Sequence, residues 1–329
     1  MEFNSEIKKA TDPIYQKISK TIPQIEWSTH APYIYEINKL KKEKNAVILA
    51  HNYQTPEIYH GISDFSADSL ALAVEAAKTR ADIIVMCGVH FMAETAKLMS
   101  PDKKVLLPDM LAGCSLSSSI TGEDVRNLKK KYPGVPVVSY VNTSADVKAE
   151  TDVCCTSANA VKIVNSLGVK KVIFLPDDYL AKYVASQTDV EIISWKGTCE
   201  VHEQFNDEEI NEIRKNNPGI KIIAHPECPP DVIEASDFAG STSGMIKYVK
   251  DNQPEKVMMV TECSMSDNVQ IDNPNVQFIR PCNLCPHMKR ITLPKVLDCL
   301  KNETNEILMS KETIEKAKKS VVRMAEIGR

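Results

Sequence analysis

The sequence has 329 residues, which is too long for one ordinary small domain and fits two or three compact units. Hydrophobic residues make up 43% of it and charged residues 26%, the balance of a globular protein with a full core. The formal net charge is −4, aromatic residues are only 6%, and no stripe of lysine and arginine is interleaved with aromatics. This composition argues against a nucleic-acid-binding protein.

The N-terminal segment and the cysteine content indicate a cytoplasmic protein. Residues 1–20 mix charges with short apolar pairs, unlike a signal peptide, and no stretch approaches the ~18 apolar residues that cross a bilayer. We therefore expect a cytoplasmic chain with no membrane partner. In that reducing compartment, the ten cysteines predict metal binding or catalysis rather than a disulfide framework.

Short apolar runs recur along the chain and predict β-strands. They are almost continuously apolar, as strands buried on both faces are. Helical segments separate most of them, for example 68–79, 158–166 and 244–250. Strand–helix–strand alternation favours parallel sheets and the α/β class. The predicted strands are 46–50, 83–86, 105–107, 137–141, 172–175, 191–194, 221–224, 257–260 and 276–279.

Three stretches of the chain can be aligned with one another and define an internal repeat. Each opens with a strand that ends in polar residues: AHNY (50–53), YVNT (140–143) and AHPE (224–227). An Asp follows, with a hydroxyl residue five positions later and a closing Cys 42 to 45 positions beyond that hydroxyl. The Asp, hydroxyl and Cys triplets are Asp64, Ser69 and Cys114; Asp152, Ser157 and Cys199; and Asp237, Thr242 and Cys285.

The repeat predicts where a ligand binds. In an open parallel sheet, ligands lie beyond the carboxyl ends of the strands, and the polar residues, hydroxyls and closing cysteines all fall at those ends. Three such units around a pseudo-threefold axis would bring three strand ends to one central site. We therefore predict three homologous αβα domains with short parallel sheets and the site at their centre.

The closing cysteines Cys114, Cys199 and Cys285 predict a metal centre. Structural zinc sites usually have four ligands, and no fourth residue shares the pattern. Iron–sulfur clusters are held by cysteine thiolates, normally four. A cluster held by only three has an open iron that can act as a Lewis acid. The alternative is that the three cysteines are buried packing residues, which the repeat disfavours.

The remaining cysteines are weaker candidates. Cys228 lies near the predicted site and its role stays open. Cys282 forms a C-x-x-C pair with Cys285, a spacing that alone is a weak signal. Core or idle thiols are expected at Cys87, Cys154, Cys155, Cys263 and Cys299.

Polar residues around the predicted site have a structural and a functional interpretation. Ser69, Ser157 and Thr242 stand at predicted helix starts, where hydroxyls commonly act as N-caps. The same helix ends can bind a carboxylate or phosphate. A histidine at a strand end is usually structural, but two repeats have one at the same place, which favours a function. The candidates at strand ends are His51, Tyr53, Tyr140, Asn142, His225 and Glu227.

Nine segments, in one order, resemble the quinolinate synthase family over about residues 34–323. The resemblance implies three homologous α/β domains around a central 4Fe–4S cluster. It implies a condensing and dehydrating synthase of transferase type, which joins iminoaspartate and dihydroxyacetone phosphate into quinolinate and releases phosphate and water. The segments are AHNYQ (50–54), DSLALA (68–73), GVHFMAETAK (88–97), PDMLAGCSL (108–116), SYVNTSADVKAETDVCCTSANA (139–160), WKGTCEVHE (195–203), AHPEC (224–228), GSTSGM (240–245) and CNLCPHM (282–288).

The resemblance also assigns residues by motif. One 4Fe–4S cluster per chain would be held by Cys114, Cys199 and Cys285, with one open iron. An enzyme that oxidises aspartate would be a functional partner, because it supplies iminoaspartate. Catalytic roles would fall on Tyr53, Glu227, His51 and His225. Substrate contacts would fall on His51, Ser69, Tyr140, Asn142, Ser157, His225, Glu227 and Thr242.

The sequence departs from the family pattern at two places. Some relatives have C-x-x-C-x-x-C in the last motif, but only Cys282 and Cys285 are present here, and we assign Cys285 as the ligand and Cys282 as spare. A frequent Gly before the DSL motif is Ala67, a small change. The predicted domains are an N-terminal helical extension (1–33), three α/β repeats (34–115, 116–200 and 201–290) and a C-terminal helical tail (291–329).

Three other functions are also compatible with the sequence. A dehydratase of a different small acid would also use a three-cysteine cluster, and product analysis separates the two. An iron–sulfur sensor or electron carrier would need no anion pockets and usually coordinates every iron with protein ligands. A small-molecule-binding protein that contains zinc would differ in metal content and visible absorption.

Overall fold

The computed structural model describes residues 2–280 and 283–328, in which twelve strands form three four-stranded sheets. All strand pairs are parallel. Across each sheet the strands lie in the order second, first, third, fourth, so the first and third strands are central and the second and fourth are at the edges. This identical order confirms the predicted α/β fold with three αβα domains. The strands are β1 (Ala46–His51), β2 (Phe65–Ala67), β3 (Ile83–Cys87), β4 (Lys104–Leu106), β5 (Val137–Tyr140), β6 (Val153–Cys155), β7 (Lys171–Leu175), β8 (Glu191–Ser194), β9 (Lys221–Ala224), β10 (Phe238–Ala239), β11 (Lys256–Val260) and β12 (Gln277–Ile279).

The chain divides into two compact units. The first comprises the chain up to Ala112, Glu262–Asn275 and Leu284–Ile307, and it contains the sheet of β1 to β4. The second comprises Gly113–Thr261, the described part of 276–283 and the chain from Leu308, and it contains the other two sheets. The domain boundaries expected from the sequence stay predictions.

Some helices of the first unit begin at polar side-chain caps. Asn4 accepts a hydrogen bond from the Ile7 amide at the start of the first helix, and Asp68 accepts one from the Ala71 amide. The helices of this unit are α1 (Ser5–Ile18), α2 (Gln24–Glu43), α3 (Pro56–Tyr59), α4 (Ser69–Lys78), α5 (His90–Met99), α14 (Cys263–Asp272) and α15 (Leu293–Asn302), with a 3₁₀ turn at Met288–Arg290.

The second unit has an apolar core at each sheet. In its last sheet, Ile222, Met258 and Val260 pack with Phe205 and Val232 from the adjoining segments. Its helices are α6 (Ser115–Ser118), α7 (Gly122–Lys131), α8 (Ala145–Ala149), α9 (Ala160–Ser166), α10 (Asp178–Ser186), α11 (Asp207–Asn216), α12 (Pro230–Glu234), α13 (Thr242–Asn252) and α16 (Lys311–Ile327), with a 3₁₀ turn at His202–Gln204.

The repeated Asp has the same structural role in all three repeats. The Asp64 carboxylate accepts a hydrogen bond from the Ile48 amide at 2.9 Å, and the Ile48 carbonyl accepts one from the Asp64 amide. Asp152 makes the same pair of bonds with Val137, at 2.8 and 3.1 Å. Asp237 makes it with Ile222, at 2.8 and 2.7 Å. The Asp therefore fixes the segment entering the second strand of each sheet to the first strand.

Candidate active site

A buried carboxylate, Glu227, lies at the carboxyl end of β9 in the second unit. The Tyr140 hydroxyl, at the end of β5, donates a hydrogen bond to Glu227 Oε1 at 2.5 Å. His202 Nδ1 lies 2.9 Å from Glu227 Oε2, and the Glu227 side chain is only 5% exposed. The two oxygens thus each have a buried partner, which makes Glu227 the centre of a polar network.

Two buried carboxyl groups of this unit have opposite pKa shifts. Burial alone would raise the pKa of Glu227, but the imidazoles of His225 and His202 and the hydrogen bonds from His202 and Tyr140 outweigh it and lower that pKa. At Asp177, burial and then the Glu227 carboxylate raise the pKa well above its ordinary value. The surroundings therefore favour the ionised form of Glu227 and the protonated form of Asp177, which is how proteins divide acid and base roles between two carboxyls.

His225 is oriented by the backbone of its own loop. The Glu227 amide donates to His225 Nδ1 at 3.4 Å, so Nδ1 is an acceptor and the ring proton of the neutral form lies on Nε2. Nε2 lies 3.1 Å from Ser157 Oγ. In the first unit, the Tyr53 amide donates to His51 Nδ1 at 3.2 Å, so two repeats hold their histidines in the same way.

His202 and Thr261 were not predicted from the sequence, yet they join the network to a predicted cysteine. His202 Nδ1 lies 3.1 Å from Cys199 Sγ as well as beside Glu227. Its other ring nitrogen, Nε2, lies 2.9 Å from Thr261 Oγ1. His202 is 1% exposed and Thr261 is fully buried. The sequence signal was the C-x-x-H spacing from Cys199, which has no counterpart in the other repeats.

Cys114 and Cys199 lie near one another in the second unit. Ser115 Oγ donates to the Thr198 carbonyl at 3.0 Å and accepts from the Glu200 amide at 3.1 Å, which ties the two cysteine segments together. Burial, and then the neighbouring Glu227 and Cys114, raise the pKa of the Cys199 thiol. Several groups that become anions are thus crowded together, a donor set that suits a cationic metal centre.

Cys285, the third predicted ligand, belongs to the first unit. Its amide donates to Glu262 Oε1 at 3.5 Å, and Glu262 also pairs with Lys289 Nζ at 2.9 Å. Lys289 Nζ further donates to the Tyr53 carbonyl at 2.8 Å and to Ser264 Oγ at 2.7 Å. The ammonium thus has three acceptors, one for each of its protons, and it connects the Tyr53 loop to the Cys285 segment.

The Tyr53 loop, between β1 and α3, is held by side-chain donors at three consecutive carbonyls. Asn268 Nδ2 donates to the Asn52 carbonyl at 3.2 Å and to the Gln54 carbonyl at 2.7 Å, while Lys289 takes the carbonyl between them. The rings of His51 and Tyr53 meet edge to face, with centroids 4.7 Å apart. The loop that carries the predicted catalytic tyrosine is therefore rigidly placed within its unit.

The predicted hydroxyls are not the helix caps. Asp68 caps α4, and Ser69 is the first helical residue. Ser241 caps α13 by accepting from the Gly244 amide, and Thr242 is the first helical residue. The N-cap interpretation is therefore wrong for Ser69 and Thr242. It is also wrong for Ser157, since Asn159 is the N-cap of α9.

The other predicted residues have these positions. Asn142 Oδ1 is buried with no hydrogen-bond partner among residues 2–280 and 283–328.

Cys228 is 1% exposed in the apolar core of the last sheet, which settles it as a core thiol. Cys282 lies outside the described residues. The core interpretation is confirmed for Cys87, Cys154, Cys155 and Cys299, which are buried, whereas Cys263 is half-buried.

Comparisons with known proteins cover almost the whole chain. The family model described as "Quinolinate synthetase A protein" matches residues 35–326. A quinolinate synthase from Sinorhizobium fredii is 58% identical over 99% of this chain and 91% of its own length. A quinolinate synthase from Caulobacter vibrioides is 56% identical over 99% of this chain and 90% of its own length. One from Agrobacterium fabrum is 55% identical over 98% of this chain and 93% of its own length.

Proposed function

The chain belongs to the quinolinate synthetase A family, and from that membership we propose how its residues make quinolinate. Quinolinate synthase function in NAD biosynthesis follows from identity of 55–58% to curated relatives over almost their full length. We propose that the reaction condenses iminoaspartate with dihydroxyacetone phosphate and releases phosphate and water. The observation that carries the local chemistry is the ionised, buried Glu227 between Tyr140 and His202.

A 4Fe–4S cluster, one per chain, is proposed on Cys114, Cys199 and Cys285. The repeat and the family motifs support this ligand set, and the crowding of Cys114, Cys199 and Glu227 within the second unit favours a cationic centre there. When bound, a cluster with three protein ligands supplies an open iron that acts as a Lewis acid. We propose that the activity depends on this cluster.

Glu227 is proposed as the general base. It is ionised, so it can accept a proton from a substrate, and it lies beside the Tyr140 hydroxyl and the His202 ring, the second of which can take that proton on. His202 can pass a proton between Nδ1 and Nε2, where Thr261 Oγ1 is the partner. His225 presents Nε2 with Ser157, and we propose that it donates to a substrate oxygen. His51 and Tyr53 are proposed as further proton-transfer groups by their motif.

Anionic groups of the substrates are proposed to bind at hydroxyls near helix starts. Ser69 and Thr242 are the first residues of α4 and α13. Helix starts favour phosphate and carboxylate. Asn142 is proposed as an additional polar contact: its amide N–H group can donate to a substrate carboxylate, and its buried Oδ1, which has no hydrogen-bond partner among the described residues, can accept from a substrate hydroxyl or N–H.

The experiment is anaerobic purification with iron and sulfide counting and a quinolinate assay on both substrates. We expect about four irons per chain and quinolinate formation, with both lost in C114A, C199A and C285A. An iron-free or zinc-loaded active protein would remove the cluster from the proposal. An intact cluster without quinolinate would favour the dehydratase of another small acid.

Glu227→Gln tests the base. It keeps the shape of the side chain but cannot accept a proton, so we expect kcat to fall by about 10²-fold or more, with the iron content unchanged. Glu150→Gln, which changes a glutamate paired with Arg126 in the same unit, is the control and should keep full activity. Full activity of Glu227→Gln would remove Glu227 as base.

The cellular setting is proposed as well. Within the described residues, no helix combines the length and apolarity that crossing a membrane requires. We propose a cytoplasmic location and functional coupling to an enzyme that oxidises aspartate, since iminoaspartate is unstable. Activity with aspartate plus such an oxidase, in place of iminoaspartate, is the check.

A further inference from the structure

We propose that Cys199, His202 and Glu227 form a binding site for one zinc-like divalent cation in the chain that lacks its cluster. Each residue offers one ligand atom, and the three atoms all lie within 4.8 Å of one another. Thiolate, imidazole and carboxylate are the three ligand types that Zn²⁺ uses. Three protein ligands with one remaining position are the arrangement of zinc sites that stay open to solvent or a small ligand.

Each nitrogen or oxygen ligand has an outer partner. His202 would bind the cation through Nδ1, while its Nε2 lies 2.9 Å from Thr261 Oγ1 and can donate to it. A metal-bound histidine nearly always gives its second N–H to such a partner, which fixes the tautomer and the ring orientation. Glu227 would bind through Oε2, while Oε1 accepts from the Tyr140 hydroxyl at 2.5 Å. The supporting groups of a metal site are thus already present.

The two distances from His202 require only a small adjustment. Bond lengths of about 2.0–2.3 Å and a tetrahedral angle place zinc ligands about 3.3–3.7 Å apart. Here His202 Nδ1 lies 2.9 Å from Glu227 Oε2 and 3.1 Å from Cys199 Sγ. The ion therefore fits if each of these two pairs of ligand atoms moves apart by about half an ångström. When the cation binds, the hydrogen bond of His202 Nδ1 is replaced by three bonds from the ligand atoms to the cation.

Charge and burial favour the same ion. A thiolate, a carboxylate and a neutral imidazole together carry two negative charges, which one divalent cation neutralises. His202 is 1% and Glu227 3% exposed, so the ion would be largely removed from water. Buried charges are stable only when they are paired or bound to a metal. Calcium and magnesium, which prefer oxygen ligands, are disfavoured by the sulfur and nitrogen.

This site has a consequence that rests on the proposed function. Cys199 would be a ligand of both the zinc-like ion and the iron–sulfur cluster, and one thiolate cannot complete both sites. A chain that has lost its cluster and taken up zinc would therefore resist rebuilding. The cation site would make zinc an inhibitor of cluster assembly rather than a cofactor.

The test uses cobalt(II) as a visible probe on the full chain freed of iron. We expect one cobalt per chain, a thiolate-to-cobalt absorption band, and displacement of cobalt by zinc. His202→Gln and Glu227→Gln should weaken binding by at least about 10-fold, and Cys199→Ala should abolish the thiolate band. Thr261→Val, which leaves all three ligands in place, should weaken binding by about 10-fold through loss of the outer partner.

Cys285→Ala distinguishes the cation site from the proposed cluster site. It removes a proposed cluster ligand but no ligand of the cation site, so cobalt binding should be unchanged. Loss of cobalt binding in Cys285→Ala, or equal affinity in wild type, His202→Gln and Glu227→Gln, would overturn the cation site. Far-UV circular dichroism of each variant identifies misfolding, and Thr261→Val gives a second readout if a ligand variant fails to fold.

A competition arm tests the consequence. Zinc added before iron and sulfide should block cluster rebuilding in the wild type, and a chelator should restore it. Rebuilding that is unaffected by one zinc per chain would overturn the inhibitory role. If the chain takes up no cluster at all but binds cobalt as described, the proposed function fails while the cation site stands.

Discussion

At the scale of single residues, two consecutive aspartates respond oppositely to their surroundings. Asp177 is fully buried, and burial and the Glu227 carboxylate raise its pKa. Its Oδ1 accepts from the Tyr179 and Leu180 amides, and its Oδ2 has no hydrogen-bond partner among the described residues. At Asp178, burial is outweighed by hydrogen bonds from Lys182 and Ser194, which lower the pKa.

Asp177→Asn should therefore keep or raise stability at neutral pH. A carboxyl with a raised folded pKa loses stability as pH rises above its ordinary pKa of about 4, because the unfolded chain releases the proton first. Asparagine resembles the protonated acid and removes that loss, so thermal unfolding midpoints measured from pH 5 to 8 should fall less steeply than in the wild type.

Asp178→Asn is the matched control, with the opposite sign. The Asp178 carboxyl has a lowered pKa in the folded chain, so its ionised form stabilises the fold at pH values above the ordinary carboxyl pKa. This stability is lost as the pH falls through the lowered folded pKa. We expect a small loss at pH 7, up to about 1 kcal/mol, because the Lys182 pair is solvent-exposed. A larger loss in Asp177→Asn than in Asp178→Asn would mean that Asp177 is ionised.

Site residues were predictable where the repeat marked them. Cys114 and Cys199 lie at matching positions, and they do lie near one another. His202 and Thr261 were missed because each lacks a counterpart in the other repeats, and Asp177 was missed although Glu262 caps the helix after the third strand of the last sheet in the same way. Their roles come from three-dimensional neighbours, and a hydroxyl or carboxyl at a strand end looks the same in a sequence whether or not it meets a glutamate.

At the scale of elements, the loop between β1 and α3 depends on Lys289. Lys289→Met would leave the Tyr53 carbonyl without its donor and Glu262, whose side chain is 0% exposed, without its cation. We expect a loss of stability of about 3–5 kcal/mol, the usual cost of breaking a buried pair. We also expect kcat to fall by about 10–100-fold, since small displacements of catalytic groups are costly.

The double variant Lys289→Met/Glu262→Gln separates the two effects. Removing the buried charge should restore much of the thermal stability, while kcat stays low with KM little changed because Tyr53 remains unanchored. Lys295→Met, which removes a surface lysine paired with Asp109 in the same unit, should leave kcat unchanged. Recovery of kcat in the double variant would show that Lys289 acts through stability alone.

The elements themselves were largely readable from the sequence. All nine predicted strands are present, because the strands of parallel sheets are mostly apolar runs. Three short edge strands, β2, β6 and β10, are absent from the nine predicted runs, since two or three residues are too few for a hydrophobic pattern. The helix starts were misjudged by one residue at Ser69 and Thr242, because Asp68 and Ser241 are equally good caps.

At the scale of the whole molecule, one structural solution is used three times. Each sheet has the same strand order, and each has an Asp carboxylate that binds the amide of the first strand. The cation beside that Asp differs, however. Lys41 lies 2.8 Å from Asp64 and Arg214 lies 3.0 Å from Asp237, whereas Lys129 lies 3.9 Å from Asp152.

Asp→Asn at the three positions should therefore have unequal effects. Asparagine still accepts the strand amide through its oxygen, so only the charge is lost, at a cost of about 0.5–1 kcal/mol for a well-paired carboxylate. We expect larger decreases in the urea midpoint for D64N and D237N than for D152N, and 1 M salt should reduce the difference by screening. Equal losses that do not respond to salt would show that the amide bond, rather than the ion pair, carries the stability.

Asp237 adds a pH dependence to that comparison. Burial would raise its pKa, but the Ile222 amide and the Arg214 guanidinium outweigh it, so the pKa is lowered. The stability it contributes is fully present above the ordinary carboxyl pKa of about 4 and is lost as pH falls through the lowered folded value. The urea midpoint of D237N should therefore converge with that of the wild type on acidification. Because the chain has more than one compact unit, midpoints followed by circular dichroism are the appropriate measure rather than a single unfolding free energy.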